Sequence, residues 1–437
     1  MPLGLYISIP FCRTKCSYCN FASDVFSKSA YENYVARLLE DIARSHQLAS
    51  DLGCTLEETA DSIYLGGGTP SILDSSQLLR IFAAVRDQFA ITPNAEITVE
   101  CAPGTLAPAL IETLQQCGVN RVSLGVQSFV DQEARSVGRL HERGTVLEEI
   151  DRLREAGLDN INIDLIAGLP HQTAESWAFS VSETIATGVP HASVYMLEVD
   201  EDSRLGSELI AGGARYHAHF VPDDDATADF YQQACEMLEA SDMPQYEISN
   251  FARCKTQSRH NLKYWTRQPY LGFGVHAHSM LSRLVSEGEN CQALRFATPD
   301  SLEAYMNGSP HKVTQVSDQE AIEESFFLGL RLNSGIELDI LRKNFKNCHP
   351  DTEFVEGGAP AVGQKSSSRL RPNIRADAVA IWESAICGCV QDGLLEQRGT
   401  ILRLTPRGRL LSNEVFARFL IEEKKETKVG TIHANPR

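Results

Sequence analysis

Long hydrophobic runs are missing from this chain of 437 residues. No stretch offers the roughly 18 consecutive apolar residues that a membrane-spanning helix needs, so no span is expected. The opening Met1-Pro2-Leu3-Gly4-Leu5-Tyr6-Ile7-Ser8-Ile9-Pro10 lacks the basic start and long apolar stretch of a secretory signal, and the Arg-rich character of a transit peptide. Positive charge is short as well: 40 Lys and Arg stand against 58 Asp and Glu, a formal charge of −18. Phosphate backbones are gripped largely by Lys and Arg that displace counterions, so nucleic acid is not an expected partner. Cysteine is sparse, 12 in all and mostly single within apolar runs, which makes no disulfide scaffold and suits a reducing, cytoplasmic setting. Disorder is not expected either, because 43% of the residues are hydrophobic and only 22% are charged. The length allows two or three domains, or one large barrel with additions.

What is present from Leu5 to about Glu198 is an alternation of short β-branched runs with longer helical patterns. Strands are expected near 5–9, 61–66, 96–101, 121–126, 159–166 and 191–198, and helices near 30–48, 75–89, 105–117, 143–156 and 174–187. Six strands alternating with helices argue for an α/β fold with a parallel sheet, either a barrel or a doubly wound sheet. Gly118, Gly157 and Gly188 each follow a helical pattern, where a left-handed cap is wanted. The next segment is less regular, with a helix from the acidic start Asp223-Asp224-Asp225 to about Ala240 and several aromatic-rich short strands.

Helices are expected over 318–343, and 346–373 is rich in Gly, Ser and Pro without periodicity, which reads as an insertion. A helix over Ala376–Gly393, a two-stranded wing (Leu394-Leu395-Glu396 and Ile401–Leu404) and a helix over Arg407–Phe419 compose a winged-helix-like module. Its few arginines suit a lid or partner-docking role better than DNA binding. The expected organisation is therefore 1–200, 201–315 and 316–421, with a loose charged tail over 422–437.

The sharpest local signal is Cys12-Arg13-Thr14-Lys15-Cys16-Ser17-Tyr18-Cys19, three thiols spaced CxxxCxxC directly after the first strand. Thiolates suit zinc or iron–sulfur centres. Structural zinc commonly takes four ligands from two separated pairs, and no second CxxC occurs. Ferredoxin spacings differ and bring four cysteines per cluster. Three ligands on one tight loop suit a [4Fe–4S] cube with one iron open to an exchangeable ligand; a zinc-binding structural protein is the bland competitor. Cys387-Gly388-Cys389 fits neither a zinc pair nor a CxxC redox site. Cys54, Cys101, Cys117, Cys235, Cys254, Cys291 and Cys348 read as packing thiols.

Further polar residues fall at successive strand ends. Gly66-Gly67-Gly68-Thr69-Pro70 follows the second strand, and bare glycines let backbone N–H groups come close to a ligand. Glu100 ends the third strand, Gln127 the fourth, and Arg139 lies in the loop beyond it. Asp164 interrupts the apolar fifth strand, where an unpartnered carboxylate is costly. The carboxyl ends of parallel strands form the site face of such folds.

CxxxCxxC with an aromatic, Tyr18, before the last Cys resembles the signature of the radical S-adenosylmethionine (SAM) superfamily. The resemblance implies a partial (β/α)6 barrel with an α+β C-terminal part, and a [4Fe–4S] cluster on Cys12, Cys16 and Cys19. SAM would chelate the open iron and be cleaved by one electron to a 5′-deoxyadenosyl radical, so an electron donor is an implied partner. From Tyr6 to about Leu420 the chain is similar to the subgroup of oxygen-independent coproporphyrinogen III oxidase (HemN) and HemW. The matches include Tyr6–Phe11, Gly67-Gly68-Thr69-Pro70-Ser71, Leu124–Phe129, Gly168-Leu169-Pro170, Gly272-Phe273-Gly274, Ala277-His278-Ser279 and Leu404–Gly408. Tyr6, Gly67, Gly68, Thr69, Glu100, Gln127, Arg139 and Asp164 are the positions so implied to hold SAM.

Two features separate the branches of that subgroup. The oxidase carries a further thiol, CxxxCxxCxC, whereas Asn20 and Phe21 follow Cys19 here. His260-Asn261-Leu262-Lys263-Tyr264-Trp265 fits the HNxxYW motif associated with HemW, a haem chaperone, which implies binding of haem and its transfer to acceptor proteins. Imidazole is a common haem ligand, Tyr264 and Trp265 offer flat apolar surface, and Arg253, Lys255, Arg259 and Lys263 could pair with propionates. Read from residue chemistry alone, the same segment could be a buried aromatic loop at a domain junction. His276, His278, His217 and His219 are alternative ligands. The rival expectation is oxidative decarboxylation of coproporphyrinogen III.

Overall fold

A computed structural model describes residues 1–283, 291–348 and 378–421. The expected insertion beyond Cys348 and the tail from Glu422 lie outside the described residues. Six strands follow one another with helices between them: β1 (Leu3–Ile9), β2 (Thr59–Gly67), β3 (Ala90–Cys101), β4 (Arg121–Gln127), β5 (Ile161–Ala167) and β6 (His191–Met196). Each pairs in parallel with the next, in chain order, which is the arrangement of a (β/α) barrel. The strands match the sequence expectation except that β3 starts earlier, beyond a register irregularity around Ala60–Ser62 that accommodates Pro93 and Asn94.

The barrel stays open. At one edge β6 is joined in antiparallel fashion by a short hairpin, β7 (Gln245–Glu247) and β8 (Asn250–Ala252). At the other edge β1 pairs in parallel with β9 (Tyr270–Phe273), beyond which β10 (His278–Ser282), β11 (Cys291–Ala297) and β12 (Lys312–Ser317) continue antiparallel. One twelve-stranded sheet results.

Successive side chains of a strand point to opposite faces, and the two faces of β1–β6 differ in chemistry. Leu5, Ile7, Ile63, Leu65, Ile97, Val99, Val122, Leu124, Ile163 and Leu165 face the helices and belong to one large core. The alternate positions (Tyr6 and Ser8, Ser62 and Tyr64, Thr98 and Glu100, Ser123, Asn162 and Asp164, Ser193 and Tyr195) line the interior. The helices that cover the apolar face start on local signals. Ser75–Gln88 has a full capping box, in which Asp74 Oδ1 accepts from Gln77 N at 2.9 Å and Gln77 Oε1 accepts from Asp74 N at 3.2 Å. The glycines expected at helix ends do take left-handed backbone there.

A second, smaller core gathers Ile322, Phe326, Trp382, Leu402, Leu404, Val415 and Phe419. It packs beside a three-stranded sheet of β13 (Ile336–Glu337), β14 (Leu395–Arg398) and β15 (Ile401–Leu404). The expected wing has two strands, and β13 escapes detection because two residues carry no periodicity. The helix expected over Arg407–Phe419 is two helices, Pro406–Leu410 and Ser412–Ala417, parted at Leu411, whose φ of −106° and ψ of 28° leave the helical region. Among the described residues no helix is long and apolar enough to cross a membrane.

Trp177 shows how tightly the outer layer is fixed. It is fully buried in the helix Ala174–Ala186, and its indole N–H donates to Phe230 O at 2.6 Å, tying that helix to Asp224–Glu239. Trp177→Ala removes the packing and the bond together, and should cost about 3–5 kcal/mol. The expected readout is a lower denaturant midpoint in chemical unfolding.

Candidate functional site: a cysteine loop over the strand ends

The loop after β1 is fastened at both ends and from outside. Cys12 N donates to Asp24 O, and Asp24 N donates to Pro10 O, each at 3.0 Å, which closes the loop on itself. Ser17 N donates to Val137 O at 3.2 Å and Thr14 Oγ1 to Gly138 O at 3.0 Å, while Leu205 N reaches Ser17 O at 2.8 Å. Cys16 is buried, and Cys12 and Cys19 are half-buried. Burial pushes the Cys12 and Cys19 thiols above their ordinary range, so free thiols stay protonated there and metal binding would release the protons. Two donors approach the sulfurs: Thr69 Oγ1 lies 3.7 Å from Cys12 Sγ and Arg139 Nη1 lies 3.7 Å from Cys16 Sγ.

Below the loop opens a cavity of about 590 Å³. Its walls bring together Cys12, Cys16, Cys19, Gly67, Gly68, Thr69, Glu100, Gln127, Arg139 and Asp164. Tyr6 sits one step back, its hydroxyl 3.5 Å from where a Cβ of Gly67 would stand. The glycines provide room more than donors. Gly67 N donates to Glu100 Oε2 at 3.2 Å and Gly68 N to Ile9 O at 2.8 Å, so both amides are already engaged. A Cβ on Gly68 would stand 2.7 Å from Phe11 O and 2.8 Å from Ile9 O, and backbone carbonyls cannot give way. Gln127 takes a left-handed φ of 71° at an irregularity between β4 and β5, and its buried Oε1 has no partner. Arg139 Nη2 donates to Gly125 O, which holds the guanidinium against the loop.

Glu100 and Asp164 share this wall. Tyr64 donates to Glu100 Oε1 at 2.8 Å. Desolvation raises the Glu100 carboxyl to about 7 against that bond, with the nearby Asp164 adding to the rise. Asp164 is also raised by burial, opposed by hydrogen bonds that include Ser123 Oγ at 3.0 Å and Asn162 Nδ2 at 2.8 Å. Tyr64, Ser123 and Tyr195 line the cavity and are missing from the sequence expectation. Period two along β2 is the signal that finds Tyr64: Ser62, Tyr64 and Gly66 share the face of the glycine loop.

The HNLKYW segment forms the helix Arg259–Trp265 at the opposite end of the barrel. Glu96 of β3 holds its start, accepting from Arg259 N and His260 N, each at 3.0 Å. His260 is buried with both ring nitrogens engaged, Nδ1 with Ser62 Oγ at 3.0 Å and Nε2 with the Tyr264 hydroxyl at 2.8 Å. Burial and neighbouring Lys263 push its pKa down to about 3. Lys263 is itself buried, paired with Asp61 at 2.7 Å and bonded to Pro2 O at 2.8 Å, so its charge is already spent. Arg331 lies over the Trp265 ring at 4.4 Å. Of the alternative histidines, His276 and His278 are exposed neighbours on the far edge, and His217 pairs with His171 at 3.1 Å. Cys254 is exposed in the turn after β8 and so is not a packing thiol. The side chains of Cys291 and Cys348 lie outside the described residues.

Known proteins resemble this chain over most of its length. The family model of the radical SAM superfamily matches residues 6–181. The chain is similar to the heme chaperone HemW of Escherichia coli (strain K12), 34% identical over 96% of this chain and 99% of that protein. It is also similar to the heme chaperone HemW of Bacillus subtilis (strain 168), 31% identical over 95% and 99%. Among solved structures, the radical SAM enzyme coproporphyrinogen III oxidase (HemN) from Escherichia coli superposes with a TM-score of 0.74 at 22% identity, covering 96% of this chain and 90% of that one, which shows a shared fold. A radical SAM domain implies a [4Fe–4S] cluster and SAM, and the residues fit both. Three thiols stand on one loop, the glycine cradle leaves no space for a Cβ, and the cavity-lining Gln127 keeps a buried amide oxygen without a partner. Among the described residues no three His, Cys, Asp or Glu side chains converge on a single ion; a cube takes each cysteine at a different corner and needs no such convergence.

Two outcomes follow from this arrangement. Replacing Cys12, Cys16 or Cys19 by Ala should abolish most iron and acid-labile sulfide in anaerobically reconstituted protein, as measured by metal and sulfide analysis. SAM carries positive charge, which favours ionised Glu100 and lowers its pKa on binding. SAM affinity should therefore rise between pH 6 and 8, through the free-protein value of about 7. Equilibrium dialysis across that range tests the trend, and Glu100→Gln should flatten it.

Proposed function

The chain belongs to the HemW family within the radical SAM superfamily, and on that premise we propose that it is a haem chaperone, binding haem and passing it to acceptor proteins. The observation that carries this reading lies beside the cysteine loop. At the place of the oxidase branch's further thiol stands Phe21, 63% exposed, and the intervening Asn20 is tied down by Asp200 at 2.9 Å. Relatives matched over nearly the whole chain are named heme chaperones, which supports the same choice.

In this reading Cys12, Cys16 and Cys19 hold the cluster, and Tyr6, Gly67, Gly68, Thr69, Glu100, Gln127, Arg139 and Asp164 surround SAM. Once bound, cluster and SAM supply one-electron chemistry at the sulfonium, and a separate donor protein provides the electron. Gln127 lines the cavity, Arg139 sets the position of Cys16, and Glu100 and Asp164 give the cavity its acidic wall. The haem contact is the helix Arg259–Trp265, through His260, Tyr264 and Trp265. His260 reaches iron only by leaving Ser62 and Tyr264, so loading involves a rearrangement of this helix. The working compartment is a reducing cytoplasm, which the ten described cysteines, all free, support.

Titration of anaerobically reconstituted protein with haem should give a stoichiometric complex with a shifted Soret band; its absence overturns the reading. His260→Ala should weaken or alter that complex while leaving iron and sulfide content unchanged. An anaerobic assay with coproporphyrinogen III and a reductant should yield no vinyl product, and formation of that product would install the oxidase reading instead.

A further inference from the structure

Between the two ends of the barrel stands one side chain that touches both. Tyr64 lies on the inner face of β2, in register with Tyr6 of β1 and Thr98 of β3. Upward, its hydroxyl donates to Glu100 Oε1 at 2.8 Å, while the other Glu100 oxygen accepts from Gly67 N at 3.2 Å. Downward, its ring stacks on His260 with centroids 5.3 Å apart and planes 29° from parallel. Tyr6 flanks the pair at 6.2 Å from Tyr64 and 6.4 Å from His260. Gly66 leaves the room that this pair occupies: a Cβ there would stand 2.9 Å from both Tyr64 Cε1 and the Glu100 carboxyl carbon. Packed cores of this kind respond to displacement by switching arrangement rather than by smooth deformation.

The imidazole of His260 is the floor on which Tyr64 rests, and Ser62 and Tyr264 fix that floor. A haem iron that takes His260 must draw the imidazole off both partners and out from under the tyrosine ring. Tyr64 then loses its stacking surface, and with it the geometry that presents Glu100 to the cavity. In the opposite direction, a cationic cofactor against Glu100 favours the ionised carboxylate, strengthens the bond from the Tyr64 hydroxyl, and so holds His260 in its inward position.

We propose that Tyr64 is a positioning residue that couples the two sites, so that haem at the Arg259–Trp265 helix and SAM at Glu100 each weaken the binding of the other. This rests on the haem-chaperone reading above and adds its regulation: arrival of SAM promotes release of haem. The coupling is reciprocal by thermodynamic necessity, so one factor describes both effects. A factor of about fivefold or more is expected from couplings of this kind.

The test uses the full chain, reconstituted without oxygen. Haem b is titrated with and without saturating SAM by Soret absorbance, and SAM is titrated with and without haem by equilibrium dialysis. In the wild type both dissociation constants should rise by the same factor, at least about fivefold. Tyr64→Phe keeps the ring on His260 and removes only the hydroxyl that reaches Glu100. It should bind both ligands, with the factor reduced to within about twofold of one. A wild-type factor of one overturns the coupling whatever the variant does, and an undiminished factor in Tyr64→Phe overturns the role of the hydroxyl. A haem complex without coupling removes this inference alone; no haem complex at all removes the chaperone reading together with it.

Discussion

Everything in this molecule depends on how the alternation of six parallel strands separates two chemistries. One face of β1–β6 carries Leu, Ile and Val and seals the sheet to its helices, contributing most of the burial that stabilises the fold. The other face carries Tyr, Ser, Thr, Asn, Asp, Glu and His into the barrel. Buried polar groups are tolerated only when partnered, and here they partner one another across strands. Asn162 is the hub: its Nδ2 lies 2.7 Å from Ser123 Oγ, 2.8 Å from Asp164 Oδ1 and 3.0 Å from Ser193 Oγ, two protons shared among three acceptors, and its Oδ1 contacts His191 Nδ1 at 2.6 Å. Arg121, nearly fully buried, reaches Asn160 Oδ1 and Thr256 O, each at 3.0 Å. The network fixes strand register, because a one-residue slip would exchange the two faces.

The two ends of this polar interior are finished differently. At the carboxyl ends of the strands some groups are left incompletely satisfied: the orphan Gln127 oxygen, and two carboxyls whose charge burial disfavours. At the amino ends the wall is closed by the Arg259–Trp265 helix. Glu96 accepts two backbone amides at the start of that helix and Ser62 receives its histidine. One end is thus a reactive cavity and the other a satisfied seam, which is why loading a ligand at the seam requires bonds to be exchanged.

Much of this was legible in the sequence, for physical reasons. The strands announce themselves because their helix-facing residues are Ile, Val and Leu in short runs, and the cysteine loop because thiols at that spacing have little structural use. The ten positions expected around the cluster and SAM, other than Tyr6, meet at one cavity because all fall at the carboxyl ends of adjacent strands, where parallel topology must bring them together. The tyrosine beneath Glu100 was less visible, since the alternation that puts Ser62, Tyr64 and Gly66 on one face of β2 does not say what that face meets until neighbouring strands supply the register. His260 shows a different limit. Residue type tells what an imidazole could ligate, whereas one of its two existing bonds depends on Ser62, 198 positions away. The two residues of β13 and the break at Leu411 left no periodic trace at all.

Gly125 carries a quieter consequence. Its carbonyl holds Arg139 beside Cys16, and a Cβ in its place would come within 2.9 Å of that same guanidinium. The two residues are fourteen positions apart and on different elements, yet neither can drift alone. A side chain at 125 would evict the arginine, and a shorter residue at 139 would leave the glycine with no occupant for the space it keeps clear. A substitution at either position is therefore felt at the other.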